Sequence, residues 1–294
     1  MRFFVKTLIA IVLAALIAGA LTYPAWFAVT HFADYRPDRI MRRIGELLLV
    51  VALVWILRRE GLVNRATFGY GVPRRQFLRQ MMLGFVAGLL LMLPLVFGFL
   101  GLDIRTWNTE FTLIALAKSL VEGALAGFVI AFIEESLLRG AMYSVIERES
   151  GITQAIVMPS VLFAALHFMV DPDAMRVSTD HMNFAVGMQI AVKAFAAFAE
   201  PLKIIDALFA LFALGVLLAL IRRYTGAIAG SIGLHAGGVA MIAVIGQFTS
   251  VNSHTSLPWL IGSYNDGVIG WLAFLWITIV ALGYWRIAAA VKQN

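Results

Sequence analysis

The sequence predicts an all-α, polytopic membrane protein, and three observations predict it. Hydrophobic residues make up 61% of the chain and charged residues only 14%, against about 45–50% and about 25% in a typical soluble domain. The apolar residues come in long runs and lack the period-two alternation of half-buried strands. Several runs approach or exceed the roughly 20 residues that a helix needs to cross the hydrocarbon layer.

Eight segments read as spans: residues 8–28, 44–57, 81–102, 113–146, 152–170, 204–221, 227–248 and 267–290. The first follows Arg2 and Lys6. It is longer than the 7–15 residues of a signal-peptide core, so it reads as a retained helix. The second is short and must use its arginine-flanked ends. The fourth is long and carries charge. Residues 189–200 are amphipathic and read as a helix that lies on the membrane surface or folds back into it. Residues 57–79 read as a basic loop and 171–180 as a polar loop. There is no internal repeat and no low-complexity tract, so residues 1–294 read as a single membrane domain.

The net charge of +6 marks cytoplasmic loops in a protein of this kind. No basic stripe interleaved with aromatics points to nucleic acid, and nucleic acid is excluded as a partner. The chain has no cysteine, which removes disulfides, thiolate metal ligands and a cysteine nucleophile together. Lys and Arg favour cytoplasmic termini by a modest excess, because Arg36, Arg39, Arg42 and Arg43 crowd the first outer loop.

Ionisable side chains within spans cost about 2.5–3.5 kcal/mol each on insertion scales, so they need a reason. The informative ones here are Glu134, Glu135, Arg139, His167 and His235, with Lys118 and Glu122 as a second group. Adjacent residues on a helix point about 100° apart, so Glu134 and Glu135 cannot share a direction. Glu135 and Arg139 are four apart with the acid N-terminal, the favourable order for an ion pair. Arg139 then neutralises Glu135 and leaves Glu134 free to face a cavity. There an apolar site raises a carboxylate's pKa and suits it to act as a base toward water. Taken alone, the same pair is equally a structural lock at a helix end.

Phe163 and His167 are also four apart and share a helix face. A lone histidine there is as readily a satisfied core residue as a functional group. His235 sits in Gly233-Leu-His235-Ala-Gly237-Gly238, below Gly226 and Gly230. Glycines at that spacing let membrane helices approach closely, with His235 as an interhelical donor. Depth links the three. Glu134 and His167 lie at similar distances before and after a turn at 149–151. His235 follows the Arg222-Arg223 turn on the same side. Antiparallel helices thus bring the groups to comparable depth, open toward the cytoplasm. Lys118 and Glu122 read as a structural pair. His31, His181 and His254 fall in loops.

These residues resemble the CPBP group, the CAAX proteases and bacteriocin-processing enzymes, which includes the type II CAAX prenyl endopeptidases. The family's two glutamates followed by arginine match Glu134, Glu135 and Arg139, with Gly140 next. Its F-x-x-x-H matches Phe163 and His167, and its third motif begins at a histidine, here His235. Residues 215–237, including Tyr224-Thr225-Gly226 and Ser231, resemble the stretch that leads into that histidine. The likeness covers residues 128–245, so the catalytic core falls in helices four to seven.

The resemblance implies peptide-bond hydrolysis in a membrane-anchored protein or peptide substrate, in an enzyme integral to the cell membrane. Glu134 would activate water and His167 would orient it or pass on its proton. His235 would stabilise the oxyanion, with Glu135 and Arg139 holding the geometry. Glu134, His167 and His235 are also the set that would ligate a zinc ion, although they are dispersed over three helices, unlike H-E-x-x-H. Prenyl-processing members carry asparagine four residues after the third-motif histidine. This chain has Val239, which cannot donate to an oxyanion and which puts prenylated substrates in question. Two other classes use the same residue types. A transporter or proton relay binds ions through intramembrane Glu and His, but typically shows repeated halves. A non-catalytic membrane partner, such as an immunity protein, would need none of them.

Overall fold

The computed structural model describes residues 2–32, 35–108, 111–169, 177, 181–261 and 268–293. In chain order they form α1 (Arg2–Thr30), α2 (Pro37–Arg59), α3 (Arg74–Gly101), β1 (Arg105–Trp107) and α4 (Leu113–Glu135). A π-helical segment (Ser136–Met142) follows, then α5 (Tyr143–Ser150), α6 (Ile152–Leu166) and α7 (Phe184–Lys193). The chain ends with α8 (Ile205–Thr225), α9 (Ala229–Phe248), β2 (Thr249–Val251) and α10 (Trp271–Gln293). The protein is an all-α, multi-pass membrane protein.

Among the described residues six helices are long and apolar enough to cross a membrane: α1, α3, the continuous run Leu113–Ser150, α8, α9 and α10. The other two expected spans also form helices but fall short of that test. The expected span at 44–57 lies within α2, whose preceding residues carry Asp38, Arg39, Arg42 and Arg43, and it holds Glu46 itself. The expected span at 152–170 stops early, because α6 ends at Leu166 and holds Pro159 inside it. His167 therefore lies in the turn after the helix rather than on the helical face it was expected to share with Phe163.

By contacts the chain divides into two compact units, residues 1–63 with 165–202, and residues 64–164 with 203–294. In the first, α1 and α2 form an antiparallel pair tied at one end by the Lys6–Glu60 ion pair. Pro37 begins α2, where a missing N–H costs nothing. α7 packs on α1 where Gly19 faces Ala191 and Gly187, beside the buried Ala18, Met41 and Ile190. The amphipathic segment expected at 189–200 is in fact the end of α7 followed by a 3-10 turn, Ala196–Ala199. Most of the polar loop expected at 171–180 lies outside the described residues.

In the second unit α9 is the central helix. α3 packs on one side of it and α4 on the other. The α3–α9 contact is glycine on backbone: Gly84 and Gly88 meet the carbonyls of Gly230 and Leu234, while Gly233 and Gly237 meet those of Met81 and Phe85. This is the small-residue packing by which membrane helices gain van der Waals contact without a hydrophobic driving force. On the other side a Cβ at Gly127 of α4 would lie 2.7 Å from the Ala236 carbonyl oxygen. Leu95, Phe99, Leu217, Leu218 and Ile277 join α3, α8 and α10 in one buried cluster.

Two turns fix the polar end of this unit. Gly151, at φ +88°, closes α5 at the expected 149–151 turn and donates to the Glu147 carbonyl. Gly226, at φ +73°, ends α8 in the left-handed conformation that glycine adopts without strain. At the other end β1 and β2 pair antiparallel. There the buried Arg105 donates through Nε to Thr249 Oγ1 at 2.7 Å and through Nη2 to the Thr249 carbonyl at 2.9 Å.

Candidate active site

The site begins where α4 changes pitch. The α-helix ends at Glu135 and a π-helical segment runs from Ser136 to Met142. A π turn bonds i to i+5 and commonly marks functional sites. Neighbouring groups hold it in place. Arg222 of α8 donates through Nε to the Arg139 carbonyl at 3.2 Å. Gly140 lies against the backbone of Phe68, where any Cβ would press on its carbonyl. Ser144 donates to the Thr67 carbonyl at 2.8 Å, and the Tyr70 hydroxyl meets Ser136 Oγ at 2.6 Å. Burial pushes the Tyr70 phenol above its usual pKa, only partly opposed by the Ser136 bond. The hydroxyl therefore stays protonated throughout the neutral range.

Glu135 and Arg139 are both completely buried. Arg139 donates through Nη1 to Glu135 Oε1 at 3.1 Å and through Nη2 to the Gly215 carbonyl of α8 at 3.2 Å. Its guanidinium lies 4.5 Å from the centroid of the Phe163 ring. The i,i+4 pair expected from spacing is present, and three helices converge on it. His235 of α9 completes the cluster, with Nδ1 3.0 Å from the same Glu135 oxygen and its ring edge-on to Phe163 at 5.7 Å. Glu135 thus holds two cationic or proton-bearing donors on one oxygen. An Nδ1–H tautomer donates to Glu135 and leaves Nε2 as the ring's other functional atom.

Glu134 behaves differently. Its side chain is only half-buried; its Oε2, like Oε2 of Glu135, is buried with no hydrogen-bond partner among the described residues. Both glutamates act electrostatically on Arg139, but the ion-pair contacts of Arg139 and His235 go to Glu135. The helix geometry that separated the two carboxylates in the sequence is realised.

Three of the expected residues, Glu135, Arg139 and His235, come together in the second unit with Phe163, and Glu134 adjoins them. His167 belongs to the first unit, half-buried in the turn after α6. Val239 stands one turn beyond His235, packed toward Gly127 of α4. Lys118 and Glu122 form the expected pair at 3.9 Å with both side chains well exposed, an arrangement of little energetic weight. His31, His181 and His254 lie in exposed turns. Among the described residues no group of three or more His, Cys, Asp or Glu is placed to hold a metal ion. Glu135 and His235 offer two donors where a catalytic zinc takes three protein ligands, so the cluster does not by itself fit zinc.

Sequence reasoning missed the π segment, the Gly215 acceptor and the loop around Tyr70. Gly140, directly after Arg139, was the one visible sign, since a glycine inside a helix often marks close backbone approach.

Residues 116–241 match the family model described as "Type II CAAX prenyl endopeptidase Rce1-like". No curated protein and no solved structure matches the chain. The matched segment carries Glu134, Glu135, Arg139 and Phe163, together with His167 and His235, in motif order. Over that segment the chain is therefore similar to the CAAX-type membrane proteases.

Proposed function

We propose that the chain is an intramembrane endopeptidase that hydrolyses a peptide bond in a membrane-associated protein or peptide, with Glu134 as its base. The observation that carries this reading is the contrast between two adjacent carboxylates. Glu135 is completely buried and pinned through Oε1 by Arg139 and His235, whereas Glu134 is half-buried, pairs with neither among the described residues and has a buried Oε2 open to a donor, as Oε2 of Glu135 also is. A buried acceptor without a partner costs about 1–3 kcal/mol, and a water donating to it would remove that cost.

In the proposed reaction Glu134 takes a proton from water as the water oxygen bonds to the scissile carbonyl carbon. Negative charge moves to the carbonyl oxygen, which His235, its ring oriented by Glu135, is placed to stabilise. Glu134 then returns the proton to the leaving nitrogen as the C–N bond breaks, so water is divided between the two products. Glu135 holds the His235 ring in orientation through Nδ1, and Arg139 holds Glu135. His167 is assigned to orienting the water or relaying its proton on the family resemblance alone. The proposed core is residues 128–245, within one eight-pass membrane domain of the cell membrane, and the site opens to the cytoplasm. Val239 in place of asparagine favours substrates other than prenylated CAAX peptides.

The test compares membrane peptides from cells carrying wild-type or Glu134→Gln protein. The reading requires peptides that end at a common cleavage site in the first and are missing in the second, at equal protein abundance. Identical peptide sets would refute it.

A further inference from the structure

The first unit carries a groove that the protease reading does not use. It runs between α1 and α2 with a volume of about 790 Å³, within the 300–1,000 Å³ range of small-ligand sites. Its walls are two apolar stripes at helical spacing. Ile9, Leu13 and Ile17 form one on α1, and Val51 and Trp55 form the other on α2. Each of these five side chains is about half exposed, so the stripes face outward and are not consumed by packing within the unit.

One end of the groove is charged, and the charge is unbalanced. Lys6, Arg59 and Glu60 line it. Lys6 pairs with Glu60. Arg59 has no acidic partner among the described residues, and its guanidinium lies 5.2 Å from the centroid of the Trp55 ring. An arginine stacked on a tryptophan at the end of an apolar helix belongs at the headgroup level of a bilayer. Length agrees with that placement. From Lys6 to Ile17 the groove is about 16 Å long at 1.5 Å per residue. One leaflet of a roughly 30 Å hydrocarbon core is about 15 Å deep.

We propose that this groove binds one anionic phospholipid, with the headgroup phosphate on Arg59 and Lys6 and an acyl chain between the two stripes. Charge selects the headgroup: a zwitterionic lipid brings its own cation next to Arg59, whereas an anionic one neutralises it. The depth of the groove selects a single leaflet.

The experiment titrates the purified full chain in neutral detergent with phosphatidylglycerol or phosphatidylcholine of identical acyl chains and counts bound lipids by native mass spectrometry. Wild type is expected to hold one phosphatidylglycerol about fivefold more tightly than phosphatidylcholine, the effect of one cation near an anionic headgroup. Arg59→Gln, at an exposed position, should erase that preference and keep the acyl-chain contribution. Ala52→Trp, which fills the groove without changing charge, should abolish binding of both lipids at the stoichiometric site. Equal affinity for both lipids in wild type would overturn the proposal, as would an undiminished preference in Arg59→Gln. Displacement of the bound lipid by an equimolar prenylated peptide would assign the groove to a lipidated substrate and overturn it as well. Should Ala52→Trp fail to fold, the Arg59→Gln comparison decides alone.

Discussion

Replacing Arg139 with methionine removes the guanidinium that touches the fully buried Glu135 carboxylate. Three interactions disappear. They are the charge-assisted bond to Glu135 at 3.1 Å, the bond to the Gly215 carbonyl at 3.2 Å and the stack on Phe163 at 4.5 Å. Typical values are about 1.5–3 kcal/mol for the first, about 0.5–1.5 for the second and about 2 for a desolvated cation–π contact. They are not additive, because Arg139 must itself be desolvated to make them. The measured cost of breaking a buried ion pair by removing one partner, about 3–5 kcal/mol, is the better guide. It reflects Glu135 left charged at 0% exposure. A second replacement, Glu135→Leu, removes that orphan. The double variant should therefore recover most of the loss and stand within about 1–2 kcal/mol of wild type. The assay is reversible unfolding of the four proteins of the cycle in mixed micelles. Wild-type stability in Arg139→Met would refute the reasoning, as would a double variant with the summed losses of the two singles.

Other outcomes follow from the same structure. Arg139→Lys keeps the charge but not the planar fork, and the displacement of Glu135 and His235 should slow cleavage about 10²-fold with the fold retained. Gly233→Ala forces a methyl group into the α3 backbone and should cost about 3 kcal/mol. Gly246→Ala on the same helix meets nothing and should stabilise by up to about 1 kcal/mol; equal effects in thermal melts would contradict the α3–α9 packing. Tyr70→Phe removes the contact with Ser136 and should cost about 1 kcal/mol. Because the folded-state pKa of Tyr70 is raised, its contribution is complete below pH 10 and lost as pH rises beyond it. Wild type should lose stability above about pH 10 by an amount that Tyr70→Phe does not share.

The membrane character and most helix positions were legible because apolar runs and their punctuation are local signals. Gly151 and Gly226 end α5 and α8 where the sequence placed turns. The pairing of Glu135 with Arg139 was legible for the same reason, since spacing alone brings residues four apart together. What failed to show was set by tertiary context. Pitch changes to π at Ser136 with no compositional mark except Gly140, because the carbonyl of Phe68 and the side chain of Arg222 hold it from elsewhere in the chain. His235 reaches Glu135 rather than Glu134, which depth matching along ideal helices could not resolve. Two carboxylates one residue apart differ by only 1.5 Å in depth. His167 was placed on a helix that ends one residue before it, at Leu166.

The central claim is that Glu134, and not its paired neighbour, activates the water. It is tested most directly by the single-turnover cleavage rate of Glu134→Gln on a peptide spanning the site found in cells, alongside its melting temperature. The account predicts a rate lower by about 10²–10⁴-fold, the usual contribution of a positioned base, with a melting temperature close to wild type. Cleavage at the wild-type rate in a folded Glu134→Gln protein would contradict it.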